Sequence, residues 1–507
     1  MDNLNNKNKN NLKKKKYLAF DLGQSGSRVI LGEYNGGTIT LKEIYRFIEY
    51  DIYAGGYLQW NILKIYNEVL RGVGIALKSE EKIESIGIDS WGSDYSFIDK
   101  NGYLLGNPIT NRDKSKDKAQ ESFYNIISKR ELFKLTGVQL ASTSSTSLLQ
   151  LYVLKYSKSG VLNIADKYLM IPGIINYFLT GNVINEYTLM SFSQLINQKD
   201  KKISDYILKK FDIPGNIFPE IVYPGTEIGT IQKDVCSSIG IKPLKIIATA
   251  QHDTASAFTA VPLSPYKNIA AISIGTWCCL GIATEIPIIT DEAYDKSFAN
   301  QAGVEGVNHF RKDFPGMMIT EQYRKQIMRD MNKEISWKEI DYLVENAPKP
   351  DCFIDIVNPI FSNPTADMYN SILKFFKETG QQIPQTAGEL FRCIYQSIAL
   401  FFRSAIEELE KIIGKKIEFL YLVGGGSKNK LLCQWTANLL KIPVLFGIYE
   451  ATSIGNILIQ MKSSGEISSY EEGNLLIKDS FKLEECSPQE TDKWEVMYEN
   501  FLRVLKK

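Results

Sequence analysis

The chain has 507 residues, 44% of them hydrophobic, and a formal net charge of +1. That length offers enough apolar surface for two or three domain cores. The near-neutral balance removes the electrostatic case for nucleic acid or an anionic membrane as partner. No run supplies the ~18 uninterrupted apolar residues of a spanning helix; the nearest, AISIGTWCCLGIATEIPII, is interrupted by Gly275, Thr276, Glu285 and Pro287. Seven cysteines without any CxxC spacing point to reduced thiols in the cytoplasm and away from a zinc site.

In chain order, the Asn/Lys-rich segment 1–16 reads as a solvated, disordered leader, since no apolar stretch of a signal peptide follows it. YLAFDLG (17–23), SRVILGEY (27–34) and TITLKEIYRF (38–47) read as strands joined by glycine turns, and 60–78 as a helix. ESIGID (84–89) and DYSFID (94–99) are further strands, and 114–134 carries helical spacing. IEFLYLV (417–423) leads as a strand into the helical LLCQWTANLL (431–440), and a last helix is expected over 488–505. Alternating strands and helices define an α/β class.

Two stretches echo each other. AFDLGQS (19–25) and AISIGTW (271–277) both run a strand into a glycine turn, with Asp21 standing where Ser273 stands and Gly23 where Gly275 stands. SIGIDSWG (85–92) and LYLVGGGS (420–427) form a second pair. A duplicated α/β core explains both echoes; the commonness of strand–Gly–strand phrases also does. The joint is expected near AVPLSPYKN (260–268), giving domains 17–262 and 263–507.

Three turns and one acid carry the chemistry. In DLGQSGSR (21–28), Gly23 and Gly26 let backbone N–H groups turn inward as a nest for phosphate oxygens, with Ser25, Ser27 and Arg28 as further donors. Asp21 at the strand end is a candidate Mg²⁺ ligand, or a solvated residue of a plain hairpin. SIGTW (273–277) presents Gly275 and Thr276 in the same manner, and a hairpin again explains it equally. GGGSKN (424–429) ends a strand with a helix to follow, so a nucleotide can approach its backbone closely. Its spacing lacks the third glycine of a dinucleotide fingerprint, with Asn429 in that place. In TAQHDTASAF (249–258), Asp253 stands at the start of a helix, either to charge that start or to take a proton from an alcohol attacking a γ-phosphate. His252 beside it has a positioning role.

Taken together, FDLGQSGSRVIL (20–31), IGIDSWGSDYSFIDKNG (86–102), NRD (111–113), YFLTGNVINEYTLMSFSQLIN (177–197), QHDTASA (251–257), SIGTW (273–277), GQQIPQTAGELFRCIYQSIAL (380–400), LVGGGSKNKLLCQ (422–434) and EATSIGNILIQ (450–460) resemble the FGGY carbohydrate kinases, and among them the rhamnulokinase branch. The resemblance implies two actin-like (ribonuclease-H-like) domains that close over ATP–Mg²⁺ and a ketose, excluding water. It implies phosphorylation of the 1-hydroxyl of L-rhamnulose in rhamnose catabolism, by a cytoplasmic monomer or homodimer with no nucleic-acid or membrane partner. By residue, it implies Asp253 as catalytic base and Asp21, with Gln24, Ser25, Gly26, Ser27 and Arg28, as the first phosphate and magnesium segment. Gly275 and Thr276 match the second phosphate turn, and Gly425, Gly426 and Asn429 the adenosine side. Trp91, Gly92, Asp94, His252 and Thr254 match the sugar pocket.

Some positions depart from the family pattern. QSGSR stands where ASSGR is usual. In RKDFPGMMITEQ (311–322), Asp313 replaces an Asn facing the sugar and Glu321 a Gln near the nucleotide, and Pro315 stiffens the turn. Gly173 replaces an Asp. L-Fuculose or another deoxyketose is therefore an alternative substrate. A catalytically silent sugar- or nucleotide-binding protein on the same fold, and a plain ATPase, are alternatives of other classes; the pairing of Asp21 with Asp253 and the Trp91–Asp94 match argue against them.

Overall fold

The computed structural model describes residues 14–48, 51–79, 82–139, 145–349, 351–361 and 367–505. The chain divides into two compact units, the first of 1–262, 283–310 and 451–482, the second of 263–282, 311–450 and 483–507. Residues 1–13 of the expected leader lie outside the described residues. Lys15 and Lys16 do not belong to a leader: they open the first strand, Lys15–Leu22, where the Lys16 carbonyl accepts from Glu84 N at 2.8 Å.

The first unit is built on a six-stranded sheet in the order Glu227–Thr230, Lys245–Ile247, Ser85–Ser90, Lys15–Leu22, Ser27–Tyr34, Ile39–Phe47. Tyr17–Leu22 and Ser85–Ser90 are buried at every position because both faces of the sheet are covered. One cover is the helix Ile62–Ser79, whose Val69, Val73 and Ala76 share a core with Leu18, Phe20, Val29 and Ile88. The helix Ala451–Ser463 packs with Asp253–Thr259, where a Cβ on Gly455 would stand 1.8 Å from the Ser256 carbonyl oxygen; only a residue without a side chain permits that approach. The expected single helix over 114–134 is two, Ser115–Ile126 and Lys129–Thr136. Ser128 restarts the helix by accepting from Glu131 N at 3.1 Å, and Ile127 before it is extended.

In the second unit the strand order is Asn308–Pro315, Trp277–Thr284, Ile269–Ile274, Phe419–Val423, Val444–Phe446, Glu484–Cys486. Ile269–Ile274 pairs antiparallel with Trp277–Thr284 and parallel with Phe419–Val423, as Lys15–Leu22 pairs antiparallel with Ser27–Tyr34 and parallel with Ser85–Ser90. Each sheet continues with one more parallel strand and then an antiparallel one. The sequence echo is thus an echo of topology. The helix Ala387–Ile413 opens with a capping box of Thr386 and Glu389 and is buried on every side from Leu390 to Phe402. The seven cysteines are buried free thiols.

Candidate active site

The strand Ser85–Ser90 ends beside TAQHD. Ser90 N donates to the Gln251 carbonyl at 2.8 Å, and Ser90 forms a parallel bridge with His252. This register sets Trp91 and Gly92 against the next corner: a Cβ on Gly92 would lie 3.0 Å from His252 Nε2. Chain direction then changes into the helix Asp253–Thr259, whose N-cap is His252, its Nδ1 accepting from Thr254 N at 3.3 Å. The Asp253 Oδ1 accepts from the Thr254 amide and, at 3.1 Å, its hydroxyl, and lies 3.1 Å from His252 Nδ1. The helix start therefore accounts for one carboxylate oxygen of Asp253. The Asp253 side chain is 34% exposed where that of His252 is 6%, so the carboxylate reaches solvent while the buried ring packs beside it. Phe192 stands edge-on to the imidazole at 5.2 Å.

Beside this corner runs a row of charges fixed by strand register. Asp21 faces Arg28 across the antiparallel pairing and Asp89 across the parallel one. Arg28 ion-pairs with Asp21. Asp89 is fully buried; burial above all, then the charges of Asp21 and Asp253, push its carboxyl well above the usual range, against a hydrogen bond from Asn456 Nδ2 at 2.6 Å. Its Oδ1 is buried without a hydrogen-bond partner. In the adjoining turn Gly26 N donates to the Gly23 carbonyl at 3.1 Å, and a Cβ on Gly23 would lie 2.8 Å from the Gly26 oxygen. Ser25 is exposed and Gln24 partly so. Ser27 is not on that surface: it is buried, its hydroxyl bracing Gly23 N at 3.3 Å.

Asp94 lies beneath two indoles. Its Oδ2 accepts from Trp60 Nε1 at 2.7 Å and Trp91 Nε1 at 2.8 Å, and its Oδ1 from Gln150 Nε2 at 3.0 Å. The two indoles are 4.5 Å apart, and the Arg112 guanidinium stands over Trp60 at 5.1 Å. Burial raises the Asp94 carboxyl to about 6, with the three hydrogen bonds opposing. Its carboxylate is thus committed to holding the aromatic wall.

The remaining candidates belong to the second unit. Gly275 and Thr276 are exposed at their turn. The Thr276 carbonyl accepts from Gly316 N at 3.0 Å, and a Cβ on Gly316 would lie 2.8 Å from the Gly275 oxygen. The strand ending at Pro315 therefore delivers Gly316 onto this turn. Gly424–Gly426 closes over the end of the strand Ile269–Ile274, since a Cβ on Gly426 would meet Ile274 Cγ2 at 2.2 Å. Gly425 is exposed. Asn429 caps the helix Lys430–Leu440 through Leu432 N at 2.8 Å and donates to Asp341 at 3.1 Å. Asp313 ion-pairs with Arg311, whose side chain is 4% exposed. Glu321 pairs with Arg324 at 2.9 Å and Lys325 at 3.4 Å.

The first unit thus gathers Trp91, Gly92, His252, Asp253 and Thr254 at one corner beside Asp21, Arg28 and Asp89. The second gathers Gly275, Thr276, Gly316 and Gly424–Gly426. Sequence reading gave no role to Trp60, Asp89, Gln150, Gly316 or Asn456. Asp89 lies inside a quoted motif, so a polar residue ending an apolar strand was the available signal; Trp60 and Gln150 had none. Among the described residues no group of three or more His, Cys, Asp or Glu converges as a metal site, and no helix is long and apolar enough to cross a membrane.

Residues 16–260 match the N-terminal domain, and 270–464 the C-terminal domain, of the FGGY family of carbohydrate kinases. A rhamnulokinase of Bacteroides thetaiotaomicron is 36% identical over 97% of this chain and 100% of its own length. One from Lactiplantibacillus plantarum is 32% identical over 97% and 98%. Among solved structures, a xylulose kinase from Lactobacillus acidophilus aligns with TM-score 0.79 at 17% identity, over 97% of this chain and 98% of that one. Plasmodium falciparum glycerol kinase with ADP aligns at 0.77 and 15%, over 97% and 98%. With both domain models matched in order and full-length relatives above 30% identity, the chain belongs to the FGGY family of carbohydrate kinases.

Proposed function

We propose that the chain transfers the γ-phosphoryl group of ATP to the 1-hydroxyl of L-rhamnulose. The new bond joins the sugar O1 to the γ-phosphorus, the bond from that phosphorus to the β,γ-bridging oxygen breaks, and Asp253 receives the hydroxyl proton. The observation that carries this reading is the partly exposed Asp253 carboxylate, held by Thr254 beside the buried His252 ring at a corner shared with Trp91 and Gly92. Little covalent chemistry is asked of the protein in phosphoryl transfer; positioning and charge compensation dominate.

Gly92, Trp91, His252 and Thr254 line the sugar side, with Asp94 holding the indoles. Arg28 and the Gln24–Gly26 turn serve phosphate oxygens, Ser27 supporting that turn from within. Gly275, Thr276, Gly425 and Gly426 offer backbone to the nucleotide, with Asn429 fixing the last turn and Glu321 tied among its own cations. Mg²⁺ suits this set, since it binds through one or two carboxylates plus phosphates rather than a protein cage; Asp21, with the unpartnered Oδ1 of Asp89 next to it, would hold it. When bound, Mg²⁺ neutralises charge on the β- and γ-phosphates.

The departures from the family pattern do not argue for another sugar. Gly173 is a packing position, where a Cβ would already lie 2.8 Å from Asn185 Oδ1 and 3.0 Å from the Ile184 oxygen. The acid at Asp313 is matched by Arg311. The names of the full-length relatives support L-rhamnulose. The test is ADP release by the purified chain with ATP–Mg²⁺ and L-rhamnulose, L-fuculose, L-xylulose or glycerol. L-Rhamnulose should give the highest kcat/KM. A higher value for L-fuculose would reassign the substrate, and no release above background with any of them would remove the activity.

A further inference from the structure

Glu186 is a buried acid that the reading above leaves without a task. It ends the short strand Ile184–Glu186, and its carboxylate is 0% exposed. Burying an ionisable group is costly unless hydrogen bonds surround it, and here they do. Oε1 accepts from Thr188 N at 2.7 Å. Oε2 accepts from the Thr188 hydroxyl at 2.6 Å, Leu189 N at 3.2 Å and Gln251 N at 3.1 Å. The Thr188 hydroxyl in turn accepts from His252 N at 3.4 Å.

Capping the turn Tyr187–Met190 needs only the bonds from Thr188 N and Leu189 N. The bond from Gln251 N comes from a segment 65 residues further along, and the one through Thr188 reaches His252. These are the last two backbone amides before Asp253. Ahead of a helix such amides have no partner within the helix, so whatever accepts them sets where that helix begins.

We infer that Glu186 is a positioning residue for the reaction, holding the Gln251–His252 backbone so that the Asp253 carboxylate stands at its working place; this rests on Asp253 being the base. A glutamine at 186 keeps the shape but turns one acceptor oxygen into an NH₂ group facing N–H donors. The carboxylate is therefore required, and not only a side chain of that size.

The experiment compares the full chain with Glu186→Gln and Thr188→Val, using ATP–Mg²⁺ and L-rhamnulose. Displacement of a catalytic group by about 1 Å costs up to ~100-fold in rate. Glu186→Gln should accordingly lower kcat ~10- to 100-fold, with KM for sugar and ATP unchanged within about threefold. A kcat within about threefold of wild type, or a loss carried by KM alone, overturns the inference. If Glu186→Gln fails to fold, Thr188→Val decides: kcat should fall several-fold at constant KM, and an unchanged kcat overturns the inference. If wild type itself phosphorylates no ketose, the kinase reading fails separately, and a crystal structure of Glu186→Gln decides. A displaced 251–253 backbone supports the inference and an undisturbed one overturns it.

Discussion

Asp21 and Asp89 are register partners on neighbouring parallel strands, and Arg28 faces Asp21 from the other side. Parallel strands place such side chains on one face of the sheet, so the guanidinium that ion-pairs with Asp21 also offsets part of the charge at Asp89. Removing it leaves the acids facing each other in a poorly hydrated place, where like charges resist joint ionisation. Arg28→Ala should destabilise the chain by about 1–3 kcal/mol at neutral pH, and by less at pH 4, where protonation relieves the repulsion. Urea titrations at both pH values check this; an equal loss at each would mean that the acids do not interact.

Asp253→Asn retains the shape of the side chain but cannot accept the sugar proton. Turnover should fall ~10³-fold, while ADP binding measured by calorimetry stays within about twofold of wild type because the nucleotide turns are untouched. Retained turnover would take the base role away from Asp253.

Burial lifts the Asp94 carboxyl from 3.8 to about 6 and that of Glu186 from 4.5 to about 7. A group whose folded value is raised holds its proton longer in the native state, so its stabilising contribution is complete below the unfolded value and lost as pH rises through the folded one. For Asp94 that window runs from about pH 4 to about pH 6, and the loss is on the order of 3 kcal/mol. Asp94→Asn does not titrate there, so its stability relative to wild type should improve across that window. It should also raise the sugar KM about tenfold, since ~1 kcal/mol per lost hydrogen bond loosens Trp60 and Trp91. Parallel pH curves for the two proteins would show that Asp94 does not titrate in this range.

Two glycine substitutions should move in opposite directions. Gly455→Ala pushes a methyl group onto the Ser256 carbonyl oxygen 1.8 Å away, so the helices Asp253–Thr259 and Ala451–Ser463 must separate, at a cost of about 3 kcal/mol and with a loss of kcat. Gly74→Ala, inside Ile62–Ser79 with nothing within 4 Å of its Cβ position, should instead stabilise by about 0.5–1 kcal/mol. Thermal melts of both variants decide.

The sequence by itself marked the first three strands, Ser85–Ser90 and Phe419–Val423, the helices Ile62–Ser79, Lys430–Leu440 and Thr491–Leu505, the duplicated strand–turn order, the glycine turns and the acid at the strand-to-helix corner. These features depend on periodicity and turn chemistry within a few residues of each position, so they are written locally. One local signal runs against the helical spacing of 114–134: Ser128, three residues before Glu131, caps a second helix there. Tertiary structure alone decided how the polar candidates are used. Ser27 turned out to face inward, Asp94 to hold two indoles, Asp313 to answer Arg311 and Gly173 to admit a neighbouring strand. It also brought Trp60 and Gln150 to Asp94 and Glu186 to Gln251. Those meetings join residues dozens of positions apart and are set by which strands lie side by side, which no local pattern specifies.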